Sequence, residues 1–206
     1  MRSTTCKAAL LAGALALTMH AAAQQKPWQR VHVESTDVAA TFSLEHAQVA
    51  LPGGNSFWLK GGSADGSATL WKGLGVAANF TGETASNIQN GVGLSKIAYM
   101  FGPRYIFNTS HYTDRYTKQH GTQVFGEALF GGVHAFNSIF PEAGTVSPSA
   151  NSFSMQLGGG LDVAIAKGFS VRALELDYVR TNLPNAAANA QNDFRIAFGV
   201  SYRIGK

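Results

Sequence analysis

The chain has 206 residues and a formal net charge of +4 at pH 7, with 14% charged residues, 11% aromatic residues and 23 glycines. The basic residues are scattered rather than clustered, which argues against a nucleic-acid partner. Because Cys6 is the only cysteine, an internal disulfide is excluded. Low charge combined with abundant glycine and aromatic residues favours β structure.

The N-terminal segment has the layout of a secretory signal peptide. The basic residues Arg2 and Lys7 precede an apolar run over residues 8 to about 19, which is shorter than the roughly 20 residues that a membrane-spanning helix needs. Small residues then lead to a predicted cleavage site between Ala23 and Gln24. We therefore expect export, and with it the loss of the cysteine and of half of the formal charge.

Residues 1–23 are thus predicted to be a signal peptide, residues 24–36 an N-terminal extension, and residues 37–206 a single β-barrel domain. No stretch after the signal has 18 consecutive apolar residues, so a transmembrane helix is not predicted. A closed β-barrel is the other structure that satisfies every backbone hydrogen bond inside a bilayer.

Eight segments of the remaining chain alternate between large apolar residues and small or polar ones, which is typical of strands that span a membrane. In chain order they cover residues 37–46, about 64–70 (with a start as early as 57), 74–82, 94–107, 123–136, 153–165, 169–181 and 193–205. The period of two predicts strands throughout.

The links between segments alternate in length, as they do in outer-membrane barrels. Tight turns are predicted at residues 71–73 and 166–168. Long links are predicted to face outward at about residues 46–63, 82–92, 137–152 and 182–191. The long link at residues 108–121 breaks this rule, because it should lie on the periplasmic side.

The last segment shows the two faces most clearly. Phe194 and Phe198 occupy one phase, whereas Arg195, Gly199 and Arg203 occupy the other. An eight-stranded barrel is too narrow for an open channel, so side chains fill its interior. We therefore expect the large apolar phase to face lipid and the small and charged phase to face the lumen.

The lumen phase contains charges of both signs, and an unpaired charge there would be costly. We expect these side chains to form a structural network of ion pairs and hydrogen bonds, with Gly158, Gly160 and Gly199 making room for long arginines. The predicted lumen network consists of Glu45, Lys96, Arg104, Glu127, Asp162, Glu175, Asp177, Arg195 and Arg203.

Two segments leave the assignment of faces open. In the fifth, Glu127 shares its phase with Phe125 and Leu129. In the seventh, Arg172 falls in the apolar phase, so either a β-bulge shifts the register or the side chain reaches from the lipid face to the membrane interface.

A soluble lipocalin-like barrel is the alternative architecture, since it also has eight alternating strands but turns its apolar face inward around a ligand cavity. A soluble exterior is rich in Lys, Glu, Asp and Thr. The polar phase here is instead rich in Gly, Ala and Ser, which favours a crowded interior and a lipid-facing apolar phase.

Several strings resemble the outer-membrane β-barrel family related to OmpA and OmpX, over residues 37 to 204. They are "GLGVAANFTG", "FGPRYIF", "LFGGVHAF", "LGGGLDVAI", "LDYVRTNLP" and "NDFRIAFGVSYRIG". The resemblance implies an all-β, eight-stranded, antiparallel, up-and-down transmembrane barrel. It also implies that the last strand carries the signal for the outer-membrane assembly machinery, at Gly199, Tyr202 and Ile204. Ala197 departs from the family's usual polar residue, and the chain ends without the usual terminal aromatic.

No catalytic, cofactor-binding or metal-binding residue is predicted. The predicted function is that of an outer-membrane protein with a structural or surface-interaction role, monomeric, in contact with outer-membrane lipid and lipopolysaccharide. Three alternatives stay open: a lipid-modifying barrel enzyme, a conductor of small solutes and the lipocalin-like barrel. Against the enzyme, Ser201 is the only serine on the last strand, and it lies in the lumen phase.

Overall fold

The structure is a computed structural model, and it describes residues 33–48, 56–89, 91–113, 119–142, 145–185 and 189–204. The predicted signal peptide, its cleavage site at Ala23 and Gln24, and residues 24–32 of the predicted extension lie outside the described residues. Within the described ranges, no helix is long and apolar enough to cross a membrane.

The described chain forms eight antiparallel strands that close into a barrel, as predicted. Each strand pairs with its neighbours in the sequence, and β8 pairs with β1 from Thr36↔Ile204 to His46↔Phe194. Because every strand has two partners, the sheet has no open edge. The strands are β1 (Ser35–Gln48), β2 (Ser56–Trp71), β3 (Leu74–Gln89), β4 (Val92–Thr113), β5 (Gln119–Glu142), β6 (Thr145–Ala166), β7 (Phe169–Thr181) and β8 (Gln191–Ile204).

The two predicted tight turns are confirmed, at the end of the barrel that also holds the start of β1 and the end of β8. Lys72 and Gly73 both have positive φ, at 47° and 86°, and Trp71 pairs with Leu74 across them. Two residues with positive φ form the hairpin turn whose twist matches the flanking strands. Gly168, with φ of 78°, serves the second turn, between β6 and β7.

The predicted outward links are too wide, because the strands continue into them. β3 ends at Gln89 and β4 begins at Val92, and β5 ends at Glu142 and β6 begins at Thr145. Where a hairpin projects beyond the barrel, both of its faces meet water, so the apolar alternation that marks a strand disappears while the backbone pairing persists. The links after β1 and β7 are longer, at residues 49–55 and 182–190.

The long link at residues 108–121 is also mostly paired strand. β4 and β5 remain in register beyond the predicted segments, from Asn108↔Gln123 to Thr113↔Gln119, with one register shift between Asn108 and Ser110. The apparent exception to the rule of short turns is therefore an extended hairpin, and only residues 114–118 separate its strands.

The two faces of the sheet are oriented as predicted. Phe194, Phe198 and Leu157 are 46%, 50% and 42% exposed on the outside, whereas Arg195 and Asp162 are buried inside. A lipocalin-like barrel would show the reverse arrangement, so that alternative is excluded. The outer surface carries the large apolar side chains that a hydrocarbon environment favours.

A β-bulge on β7 resolves the position of Arg172. Ala173 and Leu174 are both exposed, whereas Arg172 and Glu175 are both buried. The pairing with β8 moves from Arg172↔Gly199 to Glu175↔Ala197, so two residues of β7 lie opposite one residue of β8. The bulge shifts the phase and turns Arg172 into the lumen.

Strand β5 shows that the lumen is not lined by small and charged residues alone. Phe125, Glu127, Leu129, Val133 and Ala135 all face inward and are buried. The general expectation that large apolar residues face lipid therefore does not hold on this strand, whose faces the sequence had left open. Leu129, Val133 and Ala135 belong to an apolar cluster in the interior, whereas Phe125 contacts two arginines.

Candidate functional site in the barrel interior

The interior has two parts, which lie at different heights along the strands. The ionic layer is built around Arg104, Arg172 and Arg195 and lies toward the end with the tight turns. The mouth cavity lies at the opposite end, where β1, β3, β5 and β7 finish. Side chains from strands that are not neighbours in the sheet meet in the ionic layer, so their contacts cross the lumen.

Arg172 is the centre of the ionic layer. Its Nε donates to Asp162 Oδ1 at 2.9 Å, and its Nη1 donates to Glu175 Oε2 at 2.8 Å and to both carboxylate oxygens of Asp65 at 3.1 Å. Asp65 is on β2, which does not pair with β7, so this contact spans the barrel. Arg172 is only 1% exposed. Three carboxylates therefore compensate the desolvated guanidinium, as a buried charge requires.

Arg104 extends the layer toward β2 and β5. It donates through Nε to Glu127 Oε2 at 2.7 Å, through Nη2 to Asp65 Oδ1 at 3.0 Å and through Nη1 to Ser67 at 3.2 Å. The ring of Phe125 contacts two guanidinium groups, with the Cζ atoms of Arg104 and Arg172 at 4.4 and 4.5 Å from its centroid. The ring thus stabilises both cations by cation–π contacts where they share Asp65.

Arg195 forms the next level. It donates to Asp177 Oδ2 through Nε at 3.1 Å and through Nη2 at 2.9 Å, and also to Gln156 Oε1 at 2.7 Å and to Thr81 Oγ1 at 2.9 Å. Gln156 passes the network on, since its amide donates to Glu127 Oε1 at 3.0 Å. The side-chain amide of Gln156 therefore connects Arg195 with Glu127, the partner of Arg104.

Lys96 lies above Arg195 and closes the network toward the mouth. It pairs with Glu45 and, at 3.4 Å, with Glu83 Oε2. Ser43 donates to Glu83 Oε1 at 2.7 Å. At the other end of the barrel, Arg203 donates to Asp37 at 2.7 Å with its side chain 35% exposed, so this pair is at the rim.

All nine residues of the predicted lumen network have inward-facing side chains in the structure, eight of them buried and Arg203 half-buried. Sequence reasoning missed other side chains of the network. Arg172 is missed because of the bulge, Glu83 because it falls in a predicted loop, and Asp65 because the phase of the second segment is not legible. Gln156 is on the polar phase of β6 and could have been found from it. The other side chains that were missed are Phe125, Asp37, Ser43, Ser67 and Thr81.

The lumen glycines do not make room for arginines, contrary to expectation. A Cβ atom at Gly160 would lie 2.7 Å from Cζ of Phe125, and one at Gly158 would overlap the carboxylate of Asp177. At Gly199 it would lie 2.7 Å from Cα of Thr41 on the neighbouring strand. The glycines therefore make space for a ring, a carboxylate and a close approach of two strands.

The chemistry of the buried groups gives no support to a reactive centre. Ser201 is 6% exposed inside the barrel, and its hydroxyl donates to Asp162 Oδ2 at 3.1 Å. Oxygens of Glu127, Glu175 and Asp177 lie within 4.8 Å of one another. Each of these three carboxylates also forms an ion pair with an arginine of the ionic layer.

The mouth cavity has a volume of about 290 Å³. Its walls are mainly apolar and come from the ends of β1, β2, β3, β4 and β5 and from the segment after β7. Its floor is formed by Glu45, Lys96 and Asp193, the uppermost charged groups of the interior. The ionic layer beneath this floor separates the cavity from the opposite end of the barrel.

No protein-family model matches the sequence, and no curated protein matches it. The fold is similar to solved structures. Neisserial surface protein A (NspA) superposes with a TM-score of 0.55 at 15% identity, covering 81% of this chain and 96% of that one. Ail, the attachment invasion locus protein of Yersinia pestis, in complex with the heparin analogue sucrose octasulfate, gives 0.52 at 14% identity, covering 82% and 98%.

These neighbours are eight-stranded outer-membrane barrels, and the likeness extends over most of both chains. At this level of identity the likeness establishes the fold. The resemblance predicted from the sequence is therefore confirmed: the chain has the fold of the OmpA-like, eight-stranded outer-membrane β-barrels.

Proposed function

We propose that this chain is exported with cleavage between Ala23 and Gln24, is inserted into the outer membrane as a monomer, and acts there as a sealed barrel with a structural or surface-interaction role. It neither conducts solutes nor catalyses a reaction in this proposal. Its immediate surroundings are outer-membrane lipid and lipopolysaccharide.

The distribution of outward aromatic residues supports insertion in a bilayer. Tyr202 pairs with Phe169 near the end with the tight turns, and Tyr178 pairs with Phe194 near the mouth, with all four rings exposed. Phe169 and Tyr178 are nine positions apart on β7, which is about 30 Å along the strand or about 23 Å along the axis of a barrel with tilted strands. The apolar band of outer-membrane barrels is about 25 Å tall between its aromatic girdles.

The single observation that carries a sealed barrel is the ionic layer. Arg172 and Arg195 are each 1% exposed, and their hydrogen bonds connect strands on opposite sides of the lumen. A solute would have to break several charge-assisted hydrogen bonds in a low-dielectric interior, which is far costlier than passing a water-filled pore.

The last strand supports assembly by the outer-membrane machinery. Tyr202 and Ile204 are 40% and 52% exposed on the outer face of β8, and Gly199 lies close to the backbone of β1. In this proposal, the assembly machinery recognises the outward residues of β8 before this strand pairs with β1 and closes the barrel. In this proposal the start of β1 and the end of β8 lie on the periplasmic side, so that the hairpin ends at the mouth face outward, where loops on a rigid scaffold commonly carry binding. Ail, a barrel of this fold, was solved with a heparin analogue.

Membrane fractionation with a heat-modifiability gel tests this proposal. We expect the folded protein to stay with outer membranes and to change its electrophoretic mobility on boiling. Planar-bilayer recording of the refolded protein should show no discrete conductance steps. A soluble periplasmic pool would refute the location, and reproducible steps that disappear with denatured protein would refute the sealed lumen.

A further inference from the structure

The mouth cavity combines apolar walls with a charged floor. Its walls include Phe57, Leu59, Ile88, Leu94, Phe140 and Leu183. Small-molecule sites in proteins are mainly apolar pockets of about 300–1,000 Å³ with a few polar groups that orient the ligand. At about 290 Å³, this cavity is at the lower end of that range.

The floor of the cavity has an excess of negative charge. Lys96 is the ammonium group that Glu45 and Glu83 share, and Asp193 lies beside both Glu45 and Lys96. One ammonium therefore faces three carboxylates. The same imbalance extends through the interior, since the described residues include nine buried carboxylates and four buried basic side chains.

One oxygen of this floor lacks a hydrogen-bond donor. Glu45 is 1% exposed and lines the cavity, and it pairs with Lys96 through Oε1, whereas its Oε2 has no partner among the described residues. An excess of carboxylates in a low-dielectric interior is costly, and a donor that also carries positive charge is the best complement for it. The floor is thus suited to a cationic group.

We propose that the mouth cavity binds a small cationic amphiphile, namely an alkylammonium group whose head reaches Glu45 and Asp193 and whose chain lies against the apolar walls. An ammonium has three donors and one positive charge, so at the floor of the cavity it offsets the excess of carboxylates over basic groups. Burial of the alkyl chain on Leu59 and its neighbours adds the apolar contribution. The site rests on the geometry of the cavity and does not depend on the proposed role in the membrane.

The floor also predicts which amphiphiles bind weakly. An alcohol of the same chain length can donate one hydrogen bond but brings no charge, and a carboxylate is repelled by the floor. A charge-assisted hydrogen bond is worth about 1.5–3 kcal/mol, which corresponds to a factor of roughly 10 to 150 in affinity. We therefore expect octylammonium to bind at least about tenfold more tightly than octanol, and octanoate to bind most weakly.

The test uses the refolded protein in phosphatidylcholine nanodiscs with isotope-labelled methyl groups. Octylammonium, octanol and octanoate are titrated in turn while the methyl signals of Leu59 and Ile88 are followed by NMR, with partition into empty nanodiscs measured separately. We expect saturable shifts with octylammonium in the stated order of affinity. Equal affinity for the three compounds, or no saturable shift with octylammonium, would overturn the proposal.

Two charge-removing variants make the test specific. Glu45→Gln should weaken octylammonium binding at least about tenfold. Glu83→Gln also removes one carboxylate that pairs with Lys96, but Glu83 does not line the cavity. We therefore expect the affinity for octylammonium to change by less than about threefold. Unchanged binding in Glu45→Gln, or an equal loss in both variants, would contradict a specific role for Glu45.

Ala47→Phe provides an independent test that leaves every charge in place. Ala47 is 5% exposed in the wall just above Glu45, so a ring at this position would fill the cavity. We expect this variant to lose octylammonium binding while keeping the heat-modifiable mobility of a folded barrel. Binding that survives in folded Ala47→Phe would overturn the proposal, even if Glu45→Gln did not fold.

Discussion

The ionic layer and the mouth cavity are formed by the same strands and the same inward phase, yet they differ in chemistry. On β1 the inward series runs from Asp37 through Ser43 and Glu45 to Ala47, and on β4 it runs from Arg104 through Met100 to Lys96. In the ionic layer, each of three arginines pairs with at least two carboxylates, and the side chains leave little space. In the mouth, Lys96 is the one basic group among the described residues that line the floor, and apolar walls enclose a cavity above it.

This difference shows that the inward positions of a narrow barrel can hold either charged or apolar side chains. A charge is tolerated there where an opposite charge can reach it across the lumen, as Arg172 reaches Asp65. Where an excess of carboxylates borders an open cavity, as it does below the mouth, a cationic ligand can complement it. The ionic layer thus crosses the lumen with hydrogen bonds, whereas the mouth contains the cavity in which we propose that a ligand binds.

The largest effect is expected at the centre of the ionic layer. Arg172→Met removes the cation that Asp65, Asp162 and Glu175 share, so buried carboxylates lose a partner. We expect the free energy of unfolding to fall by about 3–5 kcal/mol, as for a broken buried ion pair. Urea unfolding in lipid vesicles, followed by tryptophan fluorescence, measures it.

The matched control for this variant is Arg180→Met, which changes an exposed arginine on the same strand. It should shift the free energy of unfolding by no more than about 0.5 kcal/mol. If both variants lower the free energy of unfolding by the same small amount, the ionic layer does not stabilise the barrel. The expected difference in stabilisation between the ionic layer and the mouth would then be wrong.

An intermediate effect is expected in the wall of the mouth cavity. Leu59 is 1% exposed and packs with Ala47 and Ala85. Leu59→Ala should lower the free energy of unfolding by about 2 kcal/mol, the low end for a buried leucine, because the cavity beside it already limits the contacts that are lost. The same urea titration measures it.

Val146→Ala serves as the control for the mouth, since Val146 is 65% exposed near the same end of the barrel. We expect its effect to stay within about 0.5 kcal/mol. A loss in Leu59→Ala as large as that in Arg172→Met would mean that the mouth is as tightly packed as the ionic layer.

The smallest effect is expected at the rim of the ionic layer. Arg203 pairs with Asp37, but its side chain is 35% exposed, so water screens the pair. Arg203→Gln should cost at most about 1 kcal/mol, and a double-mutant cycle with Asp37→Asn isolates the pair itself. A coupling energy above about 3 kcal/mol would mean that this rim pair stabilises the barrel as much as the buried pairs do. The expected decrease in stabilisation from the centre of the ionic layer to its rim would then be wrong.

The sequence by itself determined the class of fold and the direction of its faces. The period of two in segments such as residues 193–205 predicts strands, and the sizes of the residues on the two phases predict which face meets lipid. These signals are local, because side chains alternate along each strand regardless of what lies opposite. The prediction that the charged residues face the lumen followed from the same local pattern.

Only the tertiary structure decided which groups meet. The bulge at Ala173 and Leu174 turned Arg172 inward, and its partner Asp65 is 107 positions away in the chain. Backbone pairing extended the hairpins beyond the apolar pattern that marks the membrane. The uncompensated oxygen of Glu45 and the cavity above it depend on contributions from several strands at once, and no local pattern in the sequence reports the balance of charges across a closed barrel.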